Sequence, residues 1–584
     1  MVTPTNSKKQ LDALKFVSDP NSVAAINDNT DERDAVNDRC IWASDSETDP
    51  FLYLRVPEPF IWGAYNIDTG DYVEFDDTKS FVEWASASKR IVYAHNGGKF
   101  DWHFIAPYIP HFSRIKVISG RLAKFKIGEA EFRDSFNILP LPLSAYKKVE
   151  FDYRKLERDV RHKHMPEIRH YLRKDCEYLA DLLRAFIDQH GTKLTLAGAA
   201  MSYWEKMVGE KADQTNESFY NQFSPFYAGG RVQCFKTGAI KKKFKCFDIR
   251  SAYPEAMLHK HPYGSVVNVW DDIGDNDGQV GRSFIRLECE SHGQFHYRAE
   301  DGSLSFPDDG ARRVFYTTGW EYIAARDTGT LVAATIQAVY ELAGTVSFGP
   351  YVQHWFAEKN GSTKGTPRNI IAKFFLNSLY GKFGADPSRY RDYEVISLDY
   401  LYNALEDGWN LENLEGDSAF VSQPTPEHAR RYYNVATAAR ITGYVRAKLW
   451  KAIKGAKGVI YCDTDCIVAE QPGAIDIDPV RLGAWDIEAE CSGGYVAGRK
   501  LYAFKLTKPD KNGKLWKTAA KGVKLMPEEI AEVAMGNEHI ISLNDAPTFR
   551  VNGNTLYEGE MIGYVKRDDP QKMFQRRKVR MVRH

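Results

Sequence analysis

Apolar and polar positions divide the chain into a few strongly patterned segments. Residues 1–38, rich in Asn, Asp and Ser, show no periodicity and predict a flexible leader. From Ile41 the run IWASDSE predicts a strand, and RIVYAH, ending at His95 before a Gly-Gly turn, predicts another. Between Pro166 and His190 the apolar residues Ile168, Leu172, Leu179, Leu182, Leu183 and Phe186 recur on one stripe, which predicts a long helix. Asp213–Gly230, ending in YAGG, reads as a linker to a second unit. That unit opens with a strand, KFKCFDI, around Asp248. It continues with a helix, NIIAKFFLNSLYGKF, from about Asn369, and with a β-hairpin, GVIYCDTDCIVAE, centred on Asp463. No internal repeat is visible.

Composition sets bounds on this picture. A chain of 584 residues has room for roughly three to five folding units. With 43% apolar and 27% charged residues it is ordinary globular material, with no apolar run of membrane-spanning length. The first ten residues lack the apolar core of a secretory signal. Eight cysteines without a C-x-x-C pair exclude a disulfide scaffold or zinc ribbon and point to a reducing, cytoplasmic setting. Lys+Arg and Asp+Glu both total 78, so net charge identifies no partner. The charges are segregated, however. Arg499–Lys524 holds nine basic residues against Asp510 alone, and KMFQRRKVRMVRH at the end carries six more and no acid. Interleaved with Tyr502, Phe504, Trp516 and Phe574, these stretches suit a groove that tracks phosphates and stacks bases.

Two constellations carry chemistry. In IWASDSE, Asp45 and Glu47 leave the same face of a strand, and paired carboxylates repel unless a proton or divalent cation lies between them. Asp175 falls inside the apolar stripe of the 166–190 helix, with Tyr171 one turn earlier, and a carboxylate there needs a partner. HNGGKFD adds Asn96, Phe100 and Asp101 directly after a strand. Four acids and a tyrosine fit a two-metal site that cleaves phosphodiesters. In the second constellation, Asp248 ends an apolar strand, and Asp463 and Asp465 flank a hairpin tip, on one face by strand period. Asp248 and Asp465 could hold two Mg²⁺ ions with triphosphate oxygens completing the sphere. Lys373, Asn377 and Tyr380 share one helix face, a set suited to a nucleotide: the amine on phosphate, the ring against the base.

In type and order these motifs resemble the protein-primed branch of the family B DNA polymerases, the phi-twenty-nine-like phage enzymes. The likeness runs from about Ile41 to at least Lys521. The resemblance implies a mixed α/β fold, with a ribonuclease-H-like 3′–5′ exonuclease domain followed by a right hand of palm, fingers and thumb. By resemblance, Asp45, Glu47, Asp101 and Asp175 are exonuclease metal ligands and Tyr171 orients the water. Thr48, His95, Asn96, Phe100 and Ser135 hold a frayed single strand, together with Lys148 or, allowing a small insertion, Lys147. Tyr227, Gly229 and Gly230 of YAGG pass template between the two sites. Asp248 and Asp465 are polymerase metal ligands supported by Asp463. Tyr253 excludes a 2′-hydroxyl, Lys373, Asn377 and Tyr380 bind the incoming nucleotide, and Lys500 and Tyr502 hold the primer end.

The expected layout is a leader to 38, the exonuclease at 39–195 and palm at 196–259. A first, terminal-protein insertion follows at 260–352, then fingers at 353–385 and a second, strand-displacing insertion at 386–424. Palm resumes at 425–522, and thumb and basic tail occupy 523–584. Expected cofactors are two Mg²⁺ per active site, with Mn²⁺ as a substitute. Expected partners are primer–template DNA, dNTPs and a terminal protein; no membrane is expected, and the chain is expected to be a monomer of viral or linear-plasmid origin. Two rival readings are a polymerase using ordinary primers or none, and an idle nucleic-acid-binding scaffold. Three details depart from the family pattern. Cys466 replaces the usual serine after D-T-D, and Lys359, Lys364 and Arg368 compete for the extra phosphate-binding position. The 386–424 segment holds nine acids against Arg389 and Arg391. Those acids are expected to face outward, over a body that includes Tyr400, Tyr402 and Trp409.

Overall fold

The computed structural model describes residues 40–50, 57–147, 149–274, 276–521, 523 and 525–542, residue 551, and short strands at 555–556, 562–566, 575–576 and 582–583. The leader, Lys148 and most of the basic tail lie outside the described residues.

The first predicted strand runs Cys40–Thr48. It lies parallel to Arg90–Ala94, with Ser44 opposite Ala94, and antiparallel to Pro59–Asn66. Ala130–Asp134 adds in parallel on the far side of Arg90–Ala94. Parallel strands with both faces covered read as apolar runs, and here residues 41–43 and 91–94 do so, before the first strand turns polar at Ser44. The helix Met165–His190 packs over one face, and its whole predicted stripe is buried. On the opposite face Trp42, Trp62, Phe81, Trp102, Phe125 and Phe132 form a second core. Each such side chain stabilises the fold by about 1.5–3 kcal/mol on burial.

This sheet has ten strands, and three of them come from the 386–424 segment. Arg391–Ser397 pairs antiparallel with Ser113–Ile118, setting Tyr393 opposite Ile115, while Ser418–Pro424 and Asn410–Glu415 extend the edge. Val395 and Phe420 complete this second core. The segment is therefore an extension of the first sheet. Its expected body is only partly correct. Trp409 packs with Leu401 and Ala404 on Ile396, Ala419 and Val421, but Tyr400 and Tyr402 are 52% and 70% exposed. The Tyr400 ring instead meets Phe112 edge-on at 5.0 Å.

A second, eight-stranded sheet is built around Phe244–Ile249, flanked by Cys466–Gln471 and Trp485–Gly498. The hairpin read from the sequence is present as Lys457–Asp463 and Cys466–Gln471. The basic run 499–524 contributes strands Leu501–Leu506 and Trp516–Ala520, and Asp510 caps the turn between them by accepting from Asn512 and Lys514. A four-stranded sheet, made by Lys260–Trp270, Phe284–His292, Asp308–Thr318 and Thr335–Ser347, stands beside the helix Val435–Gly455. The segment 213–230 read as a linker contains a helix, Glu217–Phe223, that buries Phe219 and Phe223.

The helix read from about Asn369 is Pro367–Phe383. Thr366 caps it by accepting from Asn369 N, and Pro367 sits where its missing N–H costs nothing. Phe375 on this helix lies 6.1 Å from Phe186 and 4.1 Å from His190, so one apolar core joins the two units.

Two candidate carboxylate centres

At the first centre, Glu47 and Asp101 are 5% and 2% exposed, and Asp45 and Asp175 are half-buried. Burial and the mutual repulsion of these acids push Asp45 and Glu47 well above the usual carboxylate range. Asp101 is pushed up to about 6, mainly by burial, although Ser46 Oγ donates to it at 2.6 Å. An oxygen-only set that raises its own pKa values is what a divalent cation would relieve, so the residues fit a hard metal ion. Tyr171 shares a 3.1 Å hydrogen bond with the hydroxyl of Tyr153 and stacks on Phe151 at 4.6 Å. Tyr153, which feels the charges of Asp175, Glu47 and Asp45, was not singled out from the sequence. It opens a single 3-10 turn, Tyr153–Leu156, too short to leave a periodic signal. The segment after that turn is fastened to the strand end by Asp49, which is 1% exposed and accepts from Arg158 at 2.7 Å and Arg161 at 2.9 Å.

The strand-holding candidates cluster beside these acids. His95 Nε2 donates to the Leu141 carbonyl at 2.6 Å, leaving Nδ1 to accept from Ser135 Oγ at 3.0 Å. Burial lowers this histidine to about 4, so it is neutral at physiological pH. Asn96 takes a left-handed conformation, φ 64°, and accepts from Arg121, whose guanidinium also covers Phe136 at 4.2 Å. Gly98 is required here, since a Cβ would lie 2.4 Å from the Leu122 carbonyl. Phe100 meets Phe104 at 5.1 Å, and Thr48 Oγ1 donates to the Asp49 carbonyl at 3.0 Å. Lys147 is paired with Asp181 at 3.0 Å.

At the second centre Asp248 stands opposite Cys466, and Ile249 N donates to the Asp465 carbonyl at 2.8 Å, which fixes the hairpin tip against the Asp248 strand. Asp463 ends its strand but Asp465 lies in the turn, after Thr464 at φ 59°, so strand alternation does not set the face of Asp465. Asp463 is held by both oxygens on Lys500 Nζ, at 2.8 and 2.9 Å, so this lysine, expected at the primer end, neutralises a carboxylate. Tyr502 is buried and stacks on Phe504 at 4.2 Å. Cys466 Sγ lies with carboxylate oxygens of Asp248 and Glu488, all within 4.8 Å of one another.

Lys373 and Asn377 are half-buried on the helix face predicted to carry them. Burial, with the neighbouring charges of Lys359 and Lys364, lowers Lys373 to about 8. Arg368 instead pairs with Glu358 at 2.5 Å, so of the three competitors Lys359 and Lys364 stand with Lys373. Tyr253 and Tyr380 are buried and stacked at 4.4 Å, and Asp465 acts on both. YAGG packs between the end of the helix Pro367–Phe383 and the turn at Thr464. A Cβ on Gly384 would meet the Tyr227 ring at 2.4 Å, and one on Gly230 would meet Thr464 at 2.6 Å.

Residues 142–413 match the family described as DNA polymerase type B, organellar and viral. The chain is 34% identical over 559 residues to the DNA-directed DNA polymerase of Enterobacteria phage PRD1, an alignment spanning 88% of this chain and 96% of the relative. It is 24% identical to the DNA polymerase of Bacillus phage phi29, over 82% and 88% of the two chains. The solved phi29 polymerase, in complex with primer-template DNA and incoming nucleotide, superposes with a TM-score of 0.71 at 18% identity, covering 91% of this chain and all of the other. The mixed α/β architecture expected from the sequence, an exonuclease-type unit ahead of a right-hand polymerase unit, is the fold observed. The chain belongs to the protein-primed branch of the family B DNA polymerases and is a DNA-directed DNA polymerase of the phage type. Among the described residues no helix is long and apolar enough to cross a membrane.

Proposed function

We propose that this polymerase also removes nucleotides from 3′ ends, starts synthesis on a terminal protein and displaces the downstream strand. The observation that carries the two-activity reading is the presence of two carboxylate centres on separate sheets. Asp45, Glu47, Asp101 and Asp175 would hold one pair of Mg²⁺ or Mn²⁺ ions, and Asp248 and Asp465 the other. When bound, such ions lower the pKa of water and steady charge on the oxygens of a phosphodiester. Tyr171, with its hydroxyl tied to Tyr153, orients the attacking water. Neutral His95, Ser135, Asn96, Phe100 and Thr48 line the path of a single strand, with Lys147 or Lys148 on its phosphates.

In the polymerase site Lys373, Lys359 and Lys364 draw in the triphosphate, and its charge keeps their ammonium groups protonated. Asn377 stands one turn further on the same face. The Tyr253–Tyr380 stack forms a rigid floor under the sugar of the incoming dNTP, where a 2′-hydroxyl has no room. Lys500 holds Asp463 away from the ions and leaves Asp248 and Asp465 to bind them. Tyr227, Gly229 and Gly230 guide the template between the sites, and Lys500 and Tyr502 hold the primer end. Primer–template DNA, dNTPs and a terminal protein are the partners of a monomer acting in the host cytoplasm.

The test uses purified chain, Mg²⁺ and labelled dNTP with primed template, unprimed template or a candidate terminal protein. The expected result is extension and 3′ shortening of a primer, and a labelled protein–nucleotide adduct. Extension of oligonucleotide primers with no adduct from any cognate protein would replace the protein-primed reading by one using ordinary primers.

A further inference from the structure

YAGG forms neither helix nor strand, so its carbonyls must find partners outside a ladder. Two of them find Arg446, from the helix Val435–Gly455: its Nη1 donates to the Ala228 carbonyl and to the Gly229 carbonyl at 3.0 Å. The other edge of the guanidinium is held by Glu321, with Nε on Oε1 at 2.7 Å and Nη2 on Oε2 at 3.1 Å. Both side chains are 2% exposed. Glu321 belongs to the helix Gly319–Asp327 at the edge of the four-stranded sheet, where it also accepts from Thr318 Oγ1 at 2.8 Å. Gly443 is what lets the two helices close, because a Cβ there would lie 2.4 Å from Thr318 Oγ1. At its other end the segment passes to Arg231, whose carbonyl accepts from Thr464 N, in the catalytic turn, at 2.7 Å.

A buried ion pair by itself is weak support for stability. This one spans three parts of the chain and ends on backbone that no ladder fixes, with a planar fork whose geometry a single ammonium cannot copy. We propose that Arg446, set in place by Glu321, is a positioning residue that fixes the path of YAGG and so governs how a primer end is divided between synthesis and degradation. The inference rests on the reading of YAGG as the passage between the two sites. It gives the 260–352 insertion a role in that division, in addition to any role in docking a partner.

The test reads, on a labelled primer–template, the dNTP concentration at which net shortening gives way to net lengthening. Digestion of a single-stranded oligonucleotide, extension at saturating dNTP in an Asp45→Ala background, and the melting temperature are recorded beside it. Glu321→Gln is expected to raise the switching concentration roughly three- to tenfold while each separate rate stays within about twofold. Arg446→Lys is expected to shift it in the same direction. If Glu321→Gln depresses both separate rates in step with the melting temperature, the pair is only structural and the proposal falls. Tyr227→Ala separates the remaining failures. If it moves the balance and Glu321→Gln does not, the positioning role alone is wrong; if neither moves it, the reading of YAGG is wrong and the proposal goes with it.

Discussion

The two carboxylate centres are built from the same chemistry and balanced differently. In the first, four acids are set against one another, and each of Asp45 and Glu47 is raised by burial and then by the charge of its neighbours. In the second, Asp463 has its own cation in Lys500, and Lys373 stands close enough to Asp248 to feel its charge. A centre with internal counter-charges can be assembled without metal at little electrostatic cost. One made only of buried acids must take up cations or protons. Uptake of protons, or of the proposed cations, would therefore be coupled to folding more strongly in the first centre than in the second.

The sharpest way to break the comparison is to remove one centre and watch the other. Asp465→Asn is expected to reduce nucleotide incorporation by more than roughly a thousandfold, since a metal ligand supplies several kcal/mol of transition-state stabilisation. Digestion of single strands should be unchanged. Asp45→Ala with Asp101→Ala should abolish digestion and leave extension largely intact. Loss of both activities in either variant, by primer extension and oligonucleotide digestion, would show that the centres are not independent.

A smaller effect is expected from the aromatic stack. Tyr253→Val removes the floor under the sugar while Tyr380 keeps its burial, so discrimination against ribonucleotides should fall by roughly 10- to 200-fold. Competition between matched dNTP and NTP measures this, and unchanged exclusion would show that the gate lies elsewhere. The exonuclease should not respond.

These local features were legible because short motifs carry them. Asp248, Asp463 and Asp465 lie within a few residues of strand signals, and the stripe on Met165–His190 brought out Asp175. What escaped was non-local. Nothing in RDYEVIS or SRIKVI says that the two pair, since strand pairing across hundreds of residues leaves no local pattern. The same holds for the pairing of Lys500 with Asp463: the sequence marked this lysine for the primer end, and only the folded turn, with Lys500 at a left-handed φ of 55°, brings it onto the carboxylate.

The strand pairing gives the next test. Because Ser397 lies opposite Ser418, an Asn-Gly turn can join them and remove Leu398–Asp417 while Arg391–Ser397 keeps its place beside Ser113–Ile118. The cut removes exposed Tyr400 and Tyr402, the acids Asp399, Glu406, Asp407, Glu412, Glu415 and Asp417, and the Trp409 that covers Ile396 and Val421. Gap filling and single-strand digestion should stay within about twofold, whereas displacement of a downstream duplex should fall roughly tenfold if the projecting part acts on the strands. Full displacement by a variant of unchanged melting temperature would remove that role from this part of the insertion.

The smallest effect is a shift in melting temperature, and it bears most directly on the difference between the centres. Asp101 holds its proton up to about pH 6 in the folded chain, above its usual value of 3.8. A carboxyl whose pKa is higher folded than unfolded binds protons more tightly in the folded state, so stability is greatest at the low end of this window and falls as pH rises through about 6. Without divalent ions, the wild-type melting temperature should therefore drop between about pH 5 and pH 7.5 by roughly 1 °C more than that of Asp101→Asn, in which one of the repelling charges is absent. Adding Mg²⁺ near pH 7.5 should return the wild type toward its low-pH value and move Asp101→Asn less, since a cation between the carboxylates does what the proton did. Asp465→Asn, in a centre that keeps its own lysines, should show the full wild-type response to both pH and metal. An equal response in all three chains would mean that the buried acids of the first centre are not where the protons and cations are taken up.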